Sequence, residues 1–313
     1  MTIEPVRRAL AGISGVHITP YDKDGAVEPR LLARICRFIA EAGVQNIVSA
    51  GNTGEFYALD GDEVRLVHDT AIAAVDAKAL VTAAVGRSLK EAIALGRRAA
   101  SAGADAVMAH QPLDPFAAPA AQAGYFCAIA DAIEVPLVAY VRSDAFSIAD
   151  LLMIAHHPNI VAVKFATTSL MLLADCVRRS EPGSALWVCG LAESWAPAFY
   201  AVGARGFTSG LVNVAPQRSL AILAAIDAGD FQLGRRLVAE IAAFEQMRGK
   251  FNNGANVTVI KEACMLQGLD VGPVRLPGHP RLGDADRRAL ADILRGWDAT
   301  SVVGPALTGD AVE

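Results

Sequence analysis

Asn159-Ile-Val-Ala-Val-Lys-Phe-Ala166 is a short apolar run with a single lysine, Lys164, near its end. Its β-branched composition reads as a strand buried on both faces, the kind found in parallel sheets. Seven similar runs repeat along the chain: GVHITP (15–20), NIVSAG (46–51), ALVTAAVG (79–86), ADAVMAH (104–110), VPLVAY (135–140), ALWVCG (185–190) and RGFTSG (205–210). Their starts lie about 20–35 residues apart, the length of one βα unit. The segments between them read as helices at 31–43, 62–76, 88–103, 120–132, 147–157, 169–180, 194–203 and 216–228. The third opens with Ser88 and Glu91, a capping box. Eight alternating units predict a (β/α)8 TIM barrel over residues 1–228 rather than an open sheet, because closure hides both edges. Three more helical stretches without a strand (231–247, 256–268 and 284–297) predict a C-terminal helical extension over 229–298 packed on the barrel. Residues 299–313 read as a loose tail.

Composition agrees. The 313 residues are 53% hydrophobic and 19% charged, enough for one large core. A net charge of -5 without a basic stripe argues against nucleic acid and anionic membranes as partners. No apolar run reaches the roughly 18 residues a membrane span needs. The N-terminal stretch lacks the apolar core of a secretory signal, so a cytoplasmic location is expected. The five cysteines (Cys36, Cys127, Cys176, Cys189, Cys264) are scattered and read as free thiols.

In such a barrel, chemistry collects where strands end. Of the six lysines, Lys164 is the one inside an apolar strand. A buried ammonium must be paired with an anion or give up its proton. In the second case it becomes a nucleophile that forms an imine with a ketone. Tyr140 ends the preceding strand and is either a proton carrier or a core aromatic. Gly51-Asn52-Thr53-Gly54-Glu55 is either a tight turn or a cradle of backbone amides for a carboxylate, with Thr53 adding a hydroxyl and Glu55 near the start of the next helix. Arg142 either caps a surface loop or forks onto a second carboxylate. His17, His110 and Ser209 also sit at strand ends, where they can meet substrate hydroxyls. Two histidines without a third ligand make a weak metal signal, so no metal is expected. Asp114 and Glu193 are further pocket carboxylates without a role.

These elements, in this order, resemble the dihydrodipicolinate synthase and N-acetylneuraminate lyase family. The likeness runs from about residue 12 to 282 and includes TPYDKDGAVE (19–28), GNTGEFYAL (51–59), Tyr140, VKFA around Lys164 and GFTSGLVNVAP (206–216). Asn256 and Lys261 match an Asn-Pro-x-x-x-Lys stretch with Val257 in place of proline, and GPVRLP (272–277) matches a closing segment. The resemblance implies a Schiff-base lysine at Lys164, a relay tyrosine at Tyr140, and carboxylate binding by Thr53 with the neighbouring Asn52 and Gly54. It also implies a homo-oligomer, tetramer or dimer, and a small-molecule 2-oxo acid substrate with no cofactor beyond the covalent imine.

Departures set the branch. The synthase uses threonine where this chain has Asn52, two tyrosines where it has Leu113 and Asp114, and an arginine after strand five at a place this chain leaves empty of one. The GEF of GNTGEF and Arg142 two residues after Tyr140 are similar to 5-dehydro-4-deoxyglucarate dehydratases. The expected function is a lyase, aldolase or dehydratase, on a 2-oxo-3-deoxy sugar acid. Three rivals remain: a 4-hydroxy-tetrahydrodipicolinate synthase with an altered relay, a metal-dependent aldolase using His17 and His110, and a non-catalytic 2-oxo acid sensor.

Overall fold

The structure, a computed structural model, describes residues 3–298; the predicted tail at 299–313 lies outside the described residues. Eight strands run parallel and close on themselves: β1 (Ile13–Val16), β2 (Asn46–Ser49), β3 (Leu80–Val85), β4 (Ala106–His110), β5 (Leu137–Val141), β6 (Ile160–Phe165), β7 (Leu186–Cys189) and β8 (Phe207–Ser209). Closure is direct, with Gly15 of β1 opposite both Ile47 of β2 and Ser209 of β8. The helices are α1 (Ile3–Leu10), α2 (Pro29–Glu41), α3 (Gly61–Val75), α4 (Leu89–Ala102), α5 (Pro119–Ala132), α6 (Ile148–Ala155), α7 (Leu170–Arg179), α8 (Ala196–Ala201), α9 (Pro216–Asp227), α10 (Phe231–Arg248), α11 (Asn256–Leu266) and α12 (Asp284–Asp298). The chain is therefore a (β/α)8 barrel with further helices after the eighth unit.

Strand alternation sorts the side chains into two cores. Val16, Val48, Ala84, Met108, Val138, Ala162 and Val188 fill the barrel interior. The residues between them face the helices and form the larger shell. That shell continues without a break into α10, α11 and α12 through Ile241, Phe244, Val259, Ile260, Leu290 and Leu294. Each such buried apolar side chain contributes roughly 1.5–3 kcal/mol, so the last three helices add to the same core rather than to one of their own.

Two local differences from the sequence reading have physical causes. The first strand is 13–16, earlier than the expected 15–20; residues 17–20 join no strand, and Ile18 N–H bonds the Asn213 side chain instead of a neighbouring strand. Helix α1 was not expected, since eight residues are too few for a periodic pattern to stand out. Its Val6 and Leu10 join the barrel interior. All five cysteines are free, and four are buried. Among the described residues no helix is long and apolar enough to cross a membrane.

Candidate active site

Alternation on β6 places Lys164 on the face of Ala162, inside the barrel. On β5 it places Tyr140 on the face of Val138. The register sets Tyr140 opposite Lys164 and His110 opposite Tyr140, so β4, β5 and β6 carry the three side by side. Lys164 Nζ lies 3.8 Å from the centre of the Tyr140 ring. Among the described residues no carboxylate comes within ion-pairing distance of that amine. Burial, followed by the nearby Arg142 charge, pushes its pKa down to about 7. An appreciable neutral fraction at neutral pH is what imine formation needs. Burial pushes the Tyr140 phenol up, so it holds its proton and can donate it.

The turn after β2 meets this pair from the side. Asn52 Nδ2 donates to the Tyr140 hydroxyl at 3.2 Å. Gly51 is required where the turn begins: a Cβ there would sit 2.6 Å from Val16 Cγ1. Glu55 adopts a left-handed conformation (φ 61°), and its N–H returns to Asn52 O at 3.0 Å. Its carboxylate does not serve a helix start, as the sequence suggested. It turns behind the site, 2.6 Å from Lys261 Nζ, and accepts from Arg275 N–H at 2.8 Å. The C-terminal segment thus anchors the turn that presents Asn52 and Thr53.

A cavity of about 760 Å³ opens over Lys164. Of the residues singled out from sequence, Lys164, Tyr140, Asn52, Thr53, Arg142 and Ser209 line it. Gly54 does not; its carbonyl accepts from Thr19 Oγ1 at 2.7 Å. His17 and His110 are also set back from the cavity, so the expectation that they meet substrate hydroxyls finds no support in their placement. His17 is wholly buried with Nδ1 3.0 Å from Ile18 O, and burial lowers its pKa to about 4. His110 is stacked on Phe56 with ring centres 4.5 Å apart, and burial lowers its pKa to about 3. Both are neutral, and among the described residues no three His, Cys, Asp or Glu side chains gather as a metal-binding group.

Ser209 is engaged inward: its hydroxyl donates to the buried Glu193, which also accepts from Ser219 at 2.6 Å. Asp114 lines a separate groove with Tyr57, Arg87 and Leu113. Sequence reading missed Thr168, Ser194, Glu245, Arg248 and Asn253 as cavity residues, and quoted Asn256 for its motif alone. Glu245 and Arg248 read as an ordinary helix face, so nothing local marked them.

The Dihydrodipicolinate synthetase family profile matches residues 9–295. This chain belongs to the dihydrodipicolinate synthetase family. It is accordingly an enzyme of the lyase class. Within the family it is 32% identical to a 4-hydroxy-tetrahydrodipicolinate synthase of Pelobacter propionicus, over 90% of this chain and 96% of that one. It is 30% identical to a probable 5-dehydro-4-deoxyglucarate dehydratase of Streptomyces griseus, over 88% of this chain and 90% of that one. Among solved structures, dihydrodipicolinate synthase from Bacillus clausii superposes with a TM-score of 0.91 at 38% identity, covering 94% of this chain and all (100%) of that one. N-acetylneuraminate lyase from Mycoplasma synoviae shares the fold at a TM-score of 0.79 and 20% identity, covering 92% of this chain and 98% of that one.

Proposed function

We propose that this dihydrodipicolinate synthetase family member is a Schiff-base lyase acting on a 2-oxo-3-deoxy sugar acid. The observation that carries the reading is Lys164: an amine without a carboxylate partner among the described residues, held beside Tyr140 beneath a cavity. Thr53 and the backbone amides of its turn hold the substrate carboxylate. The neutral amine adds to the C2 ketone, and loss of water gives the imine. Two outcomes follow from it. Loss of a C3 proton gives an enamine whose electron pair expels the C4 hydroxyl as water. Alternatively, the C3–C4 bond breaks as the C4 hydroxyl gives up its proton, leaving an aldehyde and the enamine of pyruvate. Tyr140, hydrogen-bonded to Asn52, carries the proton in either case, and water hydrolyses the final imine. No other cofactor enters this scheme.

The sugar-acid branch is supported by Asn52 on the Tyr140 hydroxyl, by Arg142 on the cavity wall, and by Leu113 and Asp114 facing another groove. A second reading, 4-hydroxy-tetrahydrodipicolinate synthase, is favoured by the Pelobacter relative. Supplying 5-dehydro-4-deoxyglucarate in one reaction, and pyruvate with aspartate semialdehyde in another, separates them by product mass. We expect loss of water, with or without carbon dioxide, or cleavage to pyruvate and an aldehyde, from the first and no condensation in the second. Condensation alone would overturn the sugar-acid reading. Tight binding without turnover of either would leave a sensor.

A further inference from the structure

The cavity has a wall that the lysine chemistry does not use. It comes from the helices after the barrel. Glu245 and Arg248 occupy the last turn of α10, and Asn256 opens α11. Arg248 pairs with Glu245 Oε1 at 2.6 Å and donates to Asn256 Oδ1 at 2.9 Å. Its side chain is 5% exposed and that of Glu245 is 14% exposed, so the pair is held away from bulk water. Arg248 packs directly on the end of β8: a Cβ on Gly210 would lie 2.9 Å from its Nη2 and 3.4 Å from Thr53 Cγ2. The wall therefore stands beside Thr53 on the same cavity.

The link between the two helices is strained. Phe251, Asn252 and Asn253 are three consecutive left-handed residues, with φ of 55°, 54° and 67°. Such residues cost of order 1–3 kcal/mol each and persist where the surroundings over-determine them. Here the turn brings the start of α11 against the end of α10 and leaves Asn253 on the cavity.

The chemistry of this wall is specific. Arg248 occupies one oxygen of Glu245 and the oxygen of Asn256. Oε2 of Glu245 and the amide NH2 of Asn256 have no other partner among the described residues. A carboxylate oxygen accepts from a hydroxyl, and an amide NH2 donates to one. A chain bearing hydroxyls on neighbouring carbons satisfies both; an unsubstituted chain leaves them unpaired, which a partly buried site penalises strongly. Arg142 is a cation on the same cavity that makes no ion pair among the described residues.

We infer that the Glu245–Arg248–Asn256 wall is the specificity device of the site. It reads a hydroxylated chain attached to the 2-oxo acid, with Arg142 placed for a terminal carboxylate. Arg248 is a positioning residue, and Glu245, Asn253 and Asn256 touch the substrate chain. This inference rests on the reading of Lys164 as the imine-forming residue.

The test compares two six-carbon diacids, 5-dehydro-4-deoxyglucarate and 2-oxoadipate, which differ in their chain hydroxyls. Half-saturating concentrations for the borohydride-reduced adduct are measured by intact mass, with pyruvate as a third probe. The wild type is expected to favour the hydroxylated diacid by at least tenfold. Glu245→Gln, and separately Asn253→Gly, which keeps the left-handed backbone, are expected to bring that ratio down at least threefold. Equal affinity for the two diacids in the wild type, or variants that weaken both by one factor, would overturn the inference. If no probe yields an adduct, the lysine chemistry itself fails; if pyruvate does and the diacids are not distinguished, this wall alone does.

Discussion

Two lysines are buried in this protein, and each lies over a tyrosine ring. Lys164 is 4% exposed and sits 3.8 Å from the Tyr140 ring centre; Lys261 is 1% exposed and sits 4.0 Å from that of Tyr21. Their surroundings differ in one respect that decides their roles. Lys261 has Glu55 at 2.6 Å and donates to Pro273 O at 3.1 Å. Burial lowers its pKa to about 8 and Glu55 pulls against that, so it stays charged at neutral pH. Among the described residues Lys164 has no such partner, and its neighbour Arg142 lowers its pKa further, to about 7. Burial alone does not mark a reactive lysine. Burial without a counter-ion, open to a cavity, does.

The contrast is sharpened first by removing each amine. Lys164→Met is expected to lower turnover on the order of ten-thousand-fold or more, because no other group on the cavity can form the imine; residual activity near wild type would show that the amine is not the nucleophile. Lys261→Met leaves Glu55 as a buried unpaired carboxylate and is expected to destabilise the fold by roughly 3–5 kcal/mol in chemical denaturation. Adding Glu55→Gln to it should recover part of that loss, and a double variant no better than the single would dissolve the pair's importance.

Smaller effects test the environment of Lys164. Tyr140→Phe keeps the ring beneath the amine but removes the hydroxyl, so kcat should fall by about a hundredfold or more while adduct formation survives. Since the folded pKa of Lys164 lies below its unfolded value, protonating it in place is costly at low pH, and that cost is relieved as pH rises from about 7 towards 10.5. Lys164→Met should therefore be more stable than wild type at pH 6, by roughly 1–4 kcal/mol, with the gap closing above pH 7. The rate of adduct formation should climb about tenfold per unit up to pH 7 and level off beyond it. A profile still rising at pH 10 would show an ordinary, solvated lysine.

The same contrast explains what could be read from the chain. Lys164 stood out because a strand of six buried residues leaves a lysine no solvent-facing side. Lys261 did not, because a lysine in a helix has a surface face by default, and the carboxylate that claims it is remote in sequence. Strand periodicity made the barrel legible, and strand ends made Lys164, Tyr140, Asn52 and Thr53 legible with it. His17 and His110 share those positions, but His110 is stacked on Phe56 and His17 turns its ring to its own backbone at Ile18 O, which no local pattern encodes. Glu245 and Arg248 reach the cavity from α10, after the barrel, and a three-residue left-handed turn that the sequence does not announce brings Asn253 and Asn256 beside them.

The most direct test of the account is the mass of the intact protein after incubation with pyruvate and borohydride, followed by peptide mapping. The account predicts one reduced pyruvyl adduct, on Lys164 and absent from Lys164→Met. An adduct on Lys261 instead, or none with pyruvate or a longer 2-oxo diacid, would contradict it.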